Sequence, residues 1–255
     1  MDEFKAALKN NELIVFYQPK IGLDNNNIVA VEALVRWQHP SYGIVAPDLF
    51  IPLAEANNLI DKLTWVVFEQ ALSQYKRWFE QGLNVQIAIN MSASTLKELT
   101  LPDKIDLLLS KHGVKAQQIV LEITESALMS ELITSLDILT RLRMKGFRLS
   151  IDDFGTGYSS LLQLHRVPFS EIKIDRTFVS EMENDKEATA IVETIIMLGQ
   201  KLGMKTVAEG IETKETQARL TALGCNLAQG YLFSKPIPGN EVFAWFSHYK
   251  ENLKS

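Results

Sequence analysis

Residues 13–37 run LIVFYQPKIGLDNNNIVAVEALVRW. Leu13 to Leu23 and Ile28 to Trp37 are dense in β-branched and aromatic residues and read as strands. Only Asp24-Asn25-Asn26-Asn27 separates them, and those residues tolerate a tight turn. So short a connection makes a hairpin, and its strands are antiparallel. Short apolar runs then recur at Val85–Met91, Ile119–Ile123, Phe147–Ile151, Glu171–Ile174 and Met204–Ala208, with a weaker one at Asn226–Ala228. Between them lie longer stretches of helical period. Asp61–Gln81 puts Leu63, Val66, Val67, Ala71 and Leu72 near one face; Ser130–Lys145 does so with Leu132, Leu136 and Leu139, and Glu187–Leu202 with Ile191, Ile195 and Leu198. Gly146 and Gly203 end two of these helices, at the left-handed position that glycine fits. With the hairpin there are eight strands, alternating with helices after the second, over 255 residues. That is the size and order of a (β/α)8 barrel in which one strand runs against the others. An open doubly wound sheet is the alternative such a pattern allows.

Composition narrows the class. Hydrophobic residues are 46% and charged ones 22%, which excludes a disordered or fibrous chain. A chain of this length buries roughly 70–75% of its unfolded surface, enough for a substantial core. No Pro/Gly/Ser-rich linker, repeat, low-complexity tract or shift of charge divides it, so one domain over residues 1–255 is expected. Lys plus Arg number 26 against 31 Asp plus Glu, a net charge of −5, so there is no basic footprint for long nucleic acid. A small anionic substrate fits only if a metal supplies the positive charge. The lone cysteine, Cys225, excludes an internal disulfide framework and reads as a small buried residue near a helix-to-strand turn. The opening Met1-Asp2-Glu3-Phe4-Lys5 lacks the apolar stretch of a signal peptide. No apolar run approaches the ~18 residues of a membrane span, so a cytoplasmic chain without a membrane segment is expected.

Acids interrupt the apolar strands at their ends. Glu32 sits in Val29-Ala30-Val31-Glu32-Ala33-Leu34-Val35, Glu122 follows Ile119-Val120-Leu121, Asp152-Asp153 follow Leu149-Ser150-Ile151, and Glu209 follows Thr206-Val207-Ala208. Asn90 closes Ile87-Ala88-Ile89, and Lys173 stands between Ile172 and Ile174. In a barrel the C-terminal strand ends meet on one face, where active sites lie. Each acid alone reads as an ordinary ion-paired or helix-capping residue, but the whole set falling at that one face does not. Two unit charges about 5 Å apart at an effective dielectric of ~20 repel by roughly 3 kcal/mol. Gathered carboxylates therefore take up protons unless cations neutralise them. Oxygen donors without Cys or His favour Mg2+ or Mn2+ over zinc. Adjacent Asp152-Asp153 suits two ions, one carboxylate bridging while its neighbour holds the second, which is the apparatus of phosphoester hydrolysis.

Glu32-Ala33-Leu34, followed by Val35-Arg36-Trp37, resembles the signature of the EAL family of cyclic di-GMP phosphodiesterases. Further matches to the family follow in order from about residue 12 to 240: Tyr17-Gln18-Pro19, Ile89-Asn90-Met91-Ser92, Leu121-Glu122-Ile123-Thr124-Glu125-Ser126, DDFGTGYSS from Asp152 to Ser160, Ile172-Lys173-Ile174-Asp175-Arg176, Ala208-Glu209-Gly210-Ile211-Glu212 and Gln229-Gly230-Tyr231. The resemblance implies a modified TIM barrel with an antiparallel first strand, in line with the hairpin. It also implies hydrolysis of cyclic di-GMP to linear pGpG by in-line attack of water, in bacterial second-messenger signalling. Glu32, Asn90, Glu122 and Asp152 match the ligands of one Mg2+ or Mn2+; Asp152, Asp153 and Glu209 match those around a second. Lys173 corresponds to the lysine that positions and helps activate the attacking water, with Glu32 and Glu209 beside it at catalytic positions. Gln229 resembles the glutamine near that water and the substrate. Gln18, Leu34 and Arg36 resemble substrate contacts, Arg36 offering a phosphate the planar fork that lysine lacks.

The loop from Asp153 to Ser160 lacks the length and the Gly-Lys-Ser/Thr of a P-loop. It matches the family loop that couples the metal site to a dimer interface, steadied by a glutamate matching Glu125, with Glu212 as a further supporting acid. A homodimer is therefore expected, together with a covalently linked receiver, sensory or GGDEF domain. The segment Leu161 to Phe169 looks most like members attached to receiver domains.

Two other classes fit part of the pattern. A module that binds the nucleotide without cutting it would usually have lost a metal ligand, the lysine or the loop motif, and here each of those positions is filled. A retaining glycosidase would use Glu122 and Glu209 after the fourth and seventh strands. Leu121, however, stands where such enzymes often carry Asn, and Asp152-Asp153 and Lys173 would have no role. His39, His112, His165 and His248 have no spaced partners and read as packed or solvated side chains. Trp65, Trp78 and Phe79 lie in a helical stretch and read as core or interface rather than as a platform for stacking bases.

Overall fold

The computed structural model describes residues 2–130, 132–156, 164 and 166–253. Residues 157–160 of the glycine-containing loop, 161–163 after it, and His165 lie outside the described residues. Residues 24–27 are too few for a crossover, which takes a dozen or more. Strand β1 (Leu13–Gly22) therefore returns antiparallel as β2 (Ile28–His39), with Gln18 opposite Glu32. Asn26 takes φ +53°, a left-handed conformation that Asn accepts more readily than most residues, and Asn27 N–H donates to Asn25 Oδ1.

The short strand β3 (Gly43–Val45) pairs with the end of β2. From β2 the order is parallel through β4 (Gln86–Met91), β5 (Ile119–Thr124), β6 (Arg148–Phe154), β7 (Glu171–Ile174), β8 (Lys205–Ala208) and β9 (Leu227–Ala228). Strand β9 then pairs antiparallel with Ile21 and Gly22 of β1, and the sheet closes. A two-residue strand, β10 (Ile237–Pro238), adds to β1 at Phe16 and Tyr17. The chain is thus a modified TIM barrel of eight strands with the first reversed, and the open sheet is excluded. Strands β3 and β10 are too short to show a period in the sequence.

Successive strand residues face opposite sides. Ile87, Ile89, Leu121, Ile123, Leu149, Ile151, Ile172 and Ile174 are fully buried in the layer between strands and helices. Each contributes about 1.5–3 kcal/mol relative to exposure, and their alternates are left to the barrel's interior. The helix Ile60–Glu80 lays Leu63, Val67, Phe68, Ala71, Leu72 and Trp78 into that layer. The Trp78 indole N–H donates to the Gly239 carbonyl at 2.9 Å, while Phe79 is exposed, so this aromatic stretch is core and surface. The helix Lys186–Leu202 packs through Val192, Ile195, Ile196 and Gly199 rather than through Ile191, which is exposed. Gly199 explains the rotation: a Cβ there would come within 2.6 Å of Thr206 Cγ2, so the glycine side is drawn against β8. Helix covers Leu132–Met144 within the expected stretch Ser130–Lys145, and helical residues are also described at Glu125–Ser130. Cys225 is buried as expected, and Gly146 and Gly203 take φ +97° and +68°.

Candidate active site

Every barrel strand delivers one polar side chain to the same end of the barrel. Glu32 comes from β2, Asn90 from β4, Glu122 from β5, Asp152 from β6 and Lys173 from β7. Glu209 and Gln229 follow directly on β8 and β9. Reversed β1 contributes Gln18 from its middle, opposite Glu32. All these groups are buried apart from Asn90 and Glu209, which are more open, as is Asp153, the residue after Asp152 on β6.

Adjacent Asp152 and Asp153 would face opposite sides of a regular strand. The pairing of β6 with β7 shifts between Ile151 and Phe154, and Asp153 takes φ +53°. That left-handed conformation costs a non-glycine residue roughly 1–2 kcal/mol, and the bulge turns Asp153 back toward its neighbour. Oxygens of Asp152, Asp153 and Glu209 consequently lie within 4.8 Å of one another, and Asp153 N–H donates to Asp152 Oδ1 at 2.9 Å. This all-oxygen donor set fits a hard divalent cation and excludes a thiolate or imidazole site. Just beyond, Glu125 Oε2 accepts from Gly155 N–H at 3.1 Å, which ties down the start of the loop.

Lys173 is the hub. Its Nζ lies 2.8 Å from Glu209 Oε1, 2.9 Å from Asp152 Oδ2, 3.2 Å from Glu122 Oε2 and 3.7 Å from Glu32 Oε2. Glu32 also accepts from Asn90 Nδ2 at 2.9 Å and from Gln229 Nε2 at 2.7 Å. The same Gln229 Nε2 donates to Gln18 Oε1 at 3.0 Å, and Gln18 Nε2 donates to the Ser234 carbonyl at 3.0 Å. Gln229 Oε1 is buried and, among the described residues, accepts from no protein group.

A cavity of about 320 Å³ opens over these groups, walled also by Leu34, Arg176, Glu212 and Tyr231. A second, more apolar cavity of about 480 Å³ shares Leu34, Asn90 and Asp152 with it and is also lined by Asp153. Arg36 stands two residues beyond Leu34 on β2, its Nη1 donating to the Val35 carbonyl at 2.8 Å and its guanidinium 5.9 Å from the Phe16 ring centre. Arg176 and Tyr231 stand in the quoted motifs, but nothing in their spacing marks them as cavity walls.

A second ammonium lies beneath the first. Lys20 Nζ is 2.5 Å from Glu122 Oε1 and 3.4 Å from Glu171 Oε1, and Ser150 Oγ donates to the same Glu171 oxygen at 3.0 Å. Sequence reading passed over Lys20 and Glu171. The available signal was period two: Lys20 shares a strand face with Gln18, and Glu171 shares one with Lys173.

Six carboxylates thus surround two ammoniums, and their proton affinities diverge. Burial and the Glu32 charge push Glu122 up to about 8 against the pull of Lys173 and Lys20. Burial, with the Asp152 and Glu32 charges, lifts Glu209 to about 7 despite Lys173. Burial and the Asp152 charge raise Asp153 to about 6. Glu32 goes the other way: burial raises it, but Lys173, Lys20 and the Gln229 and Asn90 hydrogen bonds outweigh that and hold it at about 2. Burial disfavours the Lys173 ammonium, yet Asp152, Glu122, Glu209 and Glu32 together hold its pKa well above the ordinary lysine value. Without further cations the cluster keeps protons at neutral pH, as crowded carboxylates must.

The family model described as EAL domain matches residues 1–236. The chain is 42% identical over 245 residues to the bifunctional diguanylate cyclase/cyclic di-GMP phosphodiesterase MucR of Pseudomonas aeruginosa, covering 96% of this chain and 36% of that protein. It is 41% identical over 232 residues to the cyclic di-GMP phosphodiesterase RocR of the same organism, covering 91% and 59%. The chain therefore spans less than two thirds of the length of these curated relatives. Among solved structures, the PaMucR phosphodiesterase in complex with c-di-GMP superposes with a TM-score of 0.91 at 42% identity, covering 94% of this chain and 98% of that one. The EAL enzyme Bd1971, in its cAMP- and cyclic-di-GMP-bound form, gives 0.92 at 35% identity, covering 96% and 67%.

Proposed function

The chain belongs to the EAL domain family, and on that premise we propose that it hydrolyses one phosphodiester bond of cyclic di-GMP, giving linear pGpG, with Mg2+ or Mn2+ as cofactor. The observation that carries this reading is the ring of oxygen donors at the strand ends with Lys173 at its centre. Glu32, Asn90, Glu122 and Asp152 would hold one ion, and Asp152, Asp153 and Glu209 a second. The ions, when bound, supply positive charge against the phosphate and lower the pKa of water.

The remaining work falls to the chain. Lys173, whose Nζ lies 2.8–3.2 Å from Glu209, Asp152 and Glu122, is placed among the ligands as a hydrogen-bond donor that orients and helps activate the attacking water. Gln229 Oε1, without a partner among the described residues, is an acceptor available to that water or to the substrate. Leu34, with Asn90 and Asp152, lines both cavities flanking the donors, a layout suited to a substrate with two nucleotide halves. Gln18 holds Gln229 in place, and the Arg36 fork is suited to a phosphate oxygen. Glu125 steadies the loop after Asp153, and Glu212 stands at the cavity wall. A homodimer coupled through that loop, and a linked regulatory domain of the receiver, sensory or GGDEF kind, complete the proposal. Among the described residues no helix is long and apolar enough to cross a membrane; the cytoplasm is the proposed compartment.

The test is incubation of purified protein with cyclic di-GMP and Mg2+ or Mn2+, with chromatographic separation of products, an EDTA control and a Lys173→Ala variant. Linear pGpG formed only with metal and intact Lys173 is the expected result. Nucleotide binding without product would replace the enzyme with a receptor.

A further inference from the structure

Lys20 takes no part in the chemistry proposed above, yet it is among the largest fully buried side chains. It lies two residues beyond Gln18 on β1, in register with Ala30, and so occupies the barrel's interior one step below the site. Its ammonium contacts Glu122 Oε1 at 2.5 Å, while Lys173 takes the other oxygen, Oε2, at 3.2 Å. One carboxylate is therefore divided between two lysines, one beneath it and one at the site. Glu171, the second partner of Lys20, is farther away at 3.4 Å and already accepts from Ser150. Neutralising Glu171 alone would not need the shorter bond to be the one to Glu122.

We propose that Lys20 is a positioning residue for the cation site: it grips Glu122 Oε1 from beneath, fixes the rotation of that carboxylate, and leaves Oε2 as the oxygen exchanged between Lys173 and a divalent ion. The inference rests on the reading of Glu122 as a metal ligand. Groups that hold a ligating carboxylate from outside typically contribute 10–100-fold to metal affinity. Simple charge has the opposite sign, because an ammonium near a cation site repels the cation. A Lys20 that only balances charge would, on removal, leave cation binding unchanged or tighter; a Lys20 that positions Glu122 would leave it weaker.

The experiment uses the full chain, metal-free and without nucleotide, titrated with MnCl2 by calorimetry and by manganese paramagnetic resonance. Wild type, Lys20→Met, Glu171→Gln and the double variant are compared. The double variant keeps the buried net charge of wild type and carries the test if Lys20→Met does not fold. Mn2+ affinity is expected to fall 10–100-fold in Lys20→Met and in the double variant, and to stay within about threefold in Glu171→Gln. A double variant that binds Mn2+ as tightly as wild type, or more tightly, overturns the role of Lys20 and leaves the cation site standing. A wild type that binds no Mn2+ overturns both.

Discussion

Replacing Lys173 by alanine removes an ammonium that lies within 4.0 Å of four carboxylates. Removing one partner of a buried ion pair costs about 3–5 kcal/mol, because the other charge is left uncompensated. Here Lys20 still holds Glu122, and the carboxyls with raised pKa take up protons, so the lower end of that range applies. For a chain of this size each kcal/mol shifts the melting temperature by about 2–4 °C. The metal-free variant is therefore expected to melt about 6–12 °C below wild type. A divalent cation replaces the missing charge, so saturating Mg2+ should raise the variant's melting temperature by more than it raises that of wild type. Turnover should not recover with it: loss of an electrostatic or proton-holding group from an active site costs about 10²–10³-fold in kcat. The KM for cyclic di-GMP should change little, since Lys173 is surrounded by the protein's own carboxylates. Thermal melting with EDTA or Mg2+, alongside steady-state pGpG formation, measures both. Near-wild-type kcat at saturating metal would refute the water-positioning role, and an unchanged metal-free melting temperature would refute the charge balance assigned to the hub.

Raised carboxyl pKa values at Glu122, Glu209 and Asp153 mean that the folded, metal-free protein binds more protons than the unfolded chain between about pH 4.5 and 8. Its stability should fall as pH rises through that window, while the contribution of Glu32, already complete above about pH 4.5, stays constant. Mn2+ affinity should rise over the same window because binding needs the deprotonated forms, and a flat titration from pH 6 to 8 would contradict it. A Cβ at Gly230 would come 2.1 Å from the Ile211 carbonyl oxygen and 2.3 Å from its nitrogen, backbone atoms that cannot rotate away. Gly230→Ala should thus separate the segments carrying Glu209 and Gln229, lose about 1–3 kcal/mol of stability and weaken Mn2+ binding; wild-type melting and affinity would show the segments to be pliant. Arg36→Lys keeps the charge and loses the fork, so the KM for cyclic di-GMP should rise about tenfold with kcat little changed, and an unchanged KM would remove Arg36 from the substrate contacts.

The reversed first strand was readable from residues 24–27, because four residues cannot cross a barrel, and the six later strands from their apolar runs. The site was readable as residue types at strand ends, since a strand has only one end at the catalytic face of a barrel. Side-chain direction was less accessible. Strict alternation would send Asp153 away from Asp152, and only the bulge in β6 and the positive φ bring both carboxylates to one place. On the helix Lys186–Leu202, Ile195 and Leu198 pack on the core as the period predicts, while Ile191 is exposed because the close approach of Gly199 to Thr206, which carries no apolar signal, turns the helix. Lys20 and Glu122 stand 102 positions apart, and no local pattern pairs them. Spacing along the chain reports direction and period, which depend on near neighbours. Which ammonium reaches which carboxylate depends on how the closed sheet brings β1 across from β5, a contact that exists only once the barrel has formed.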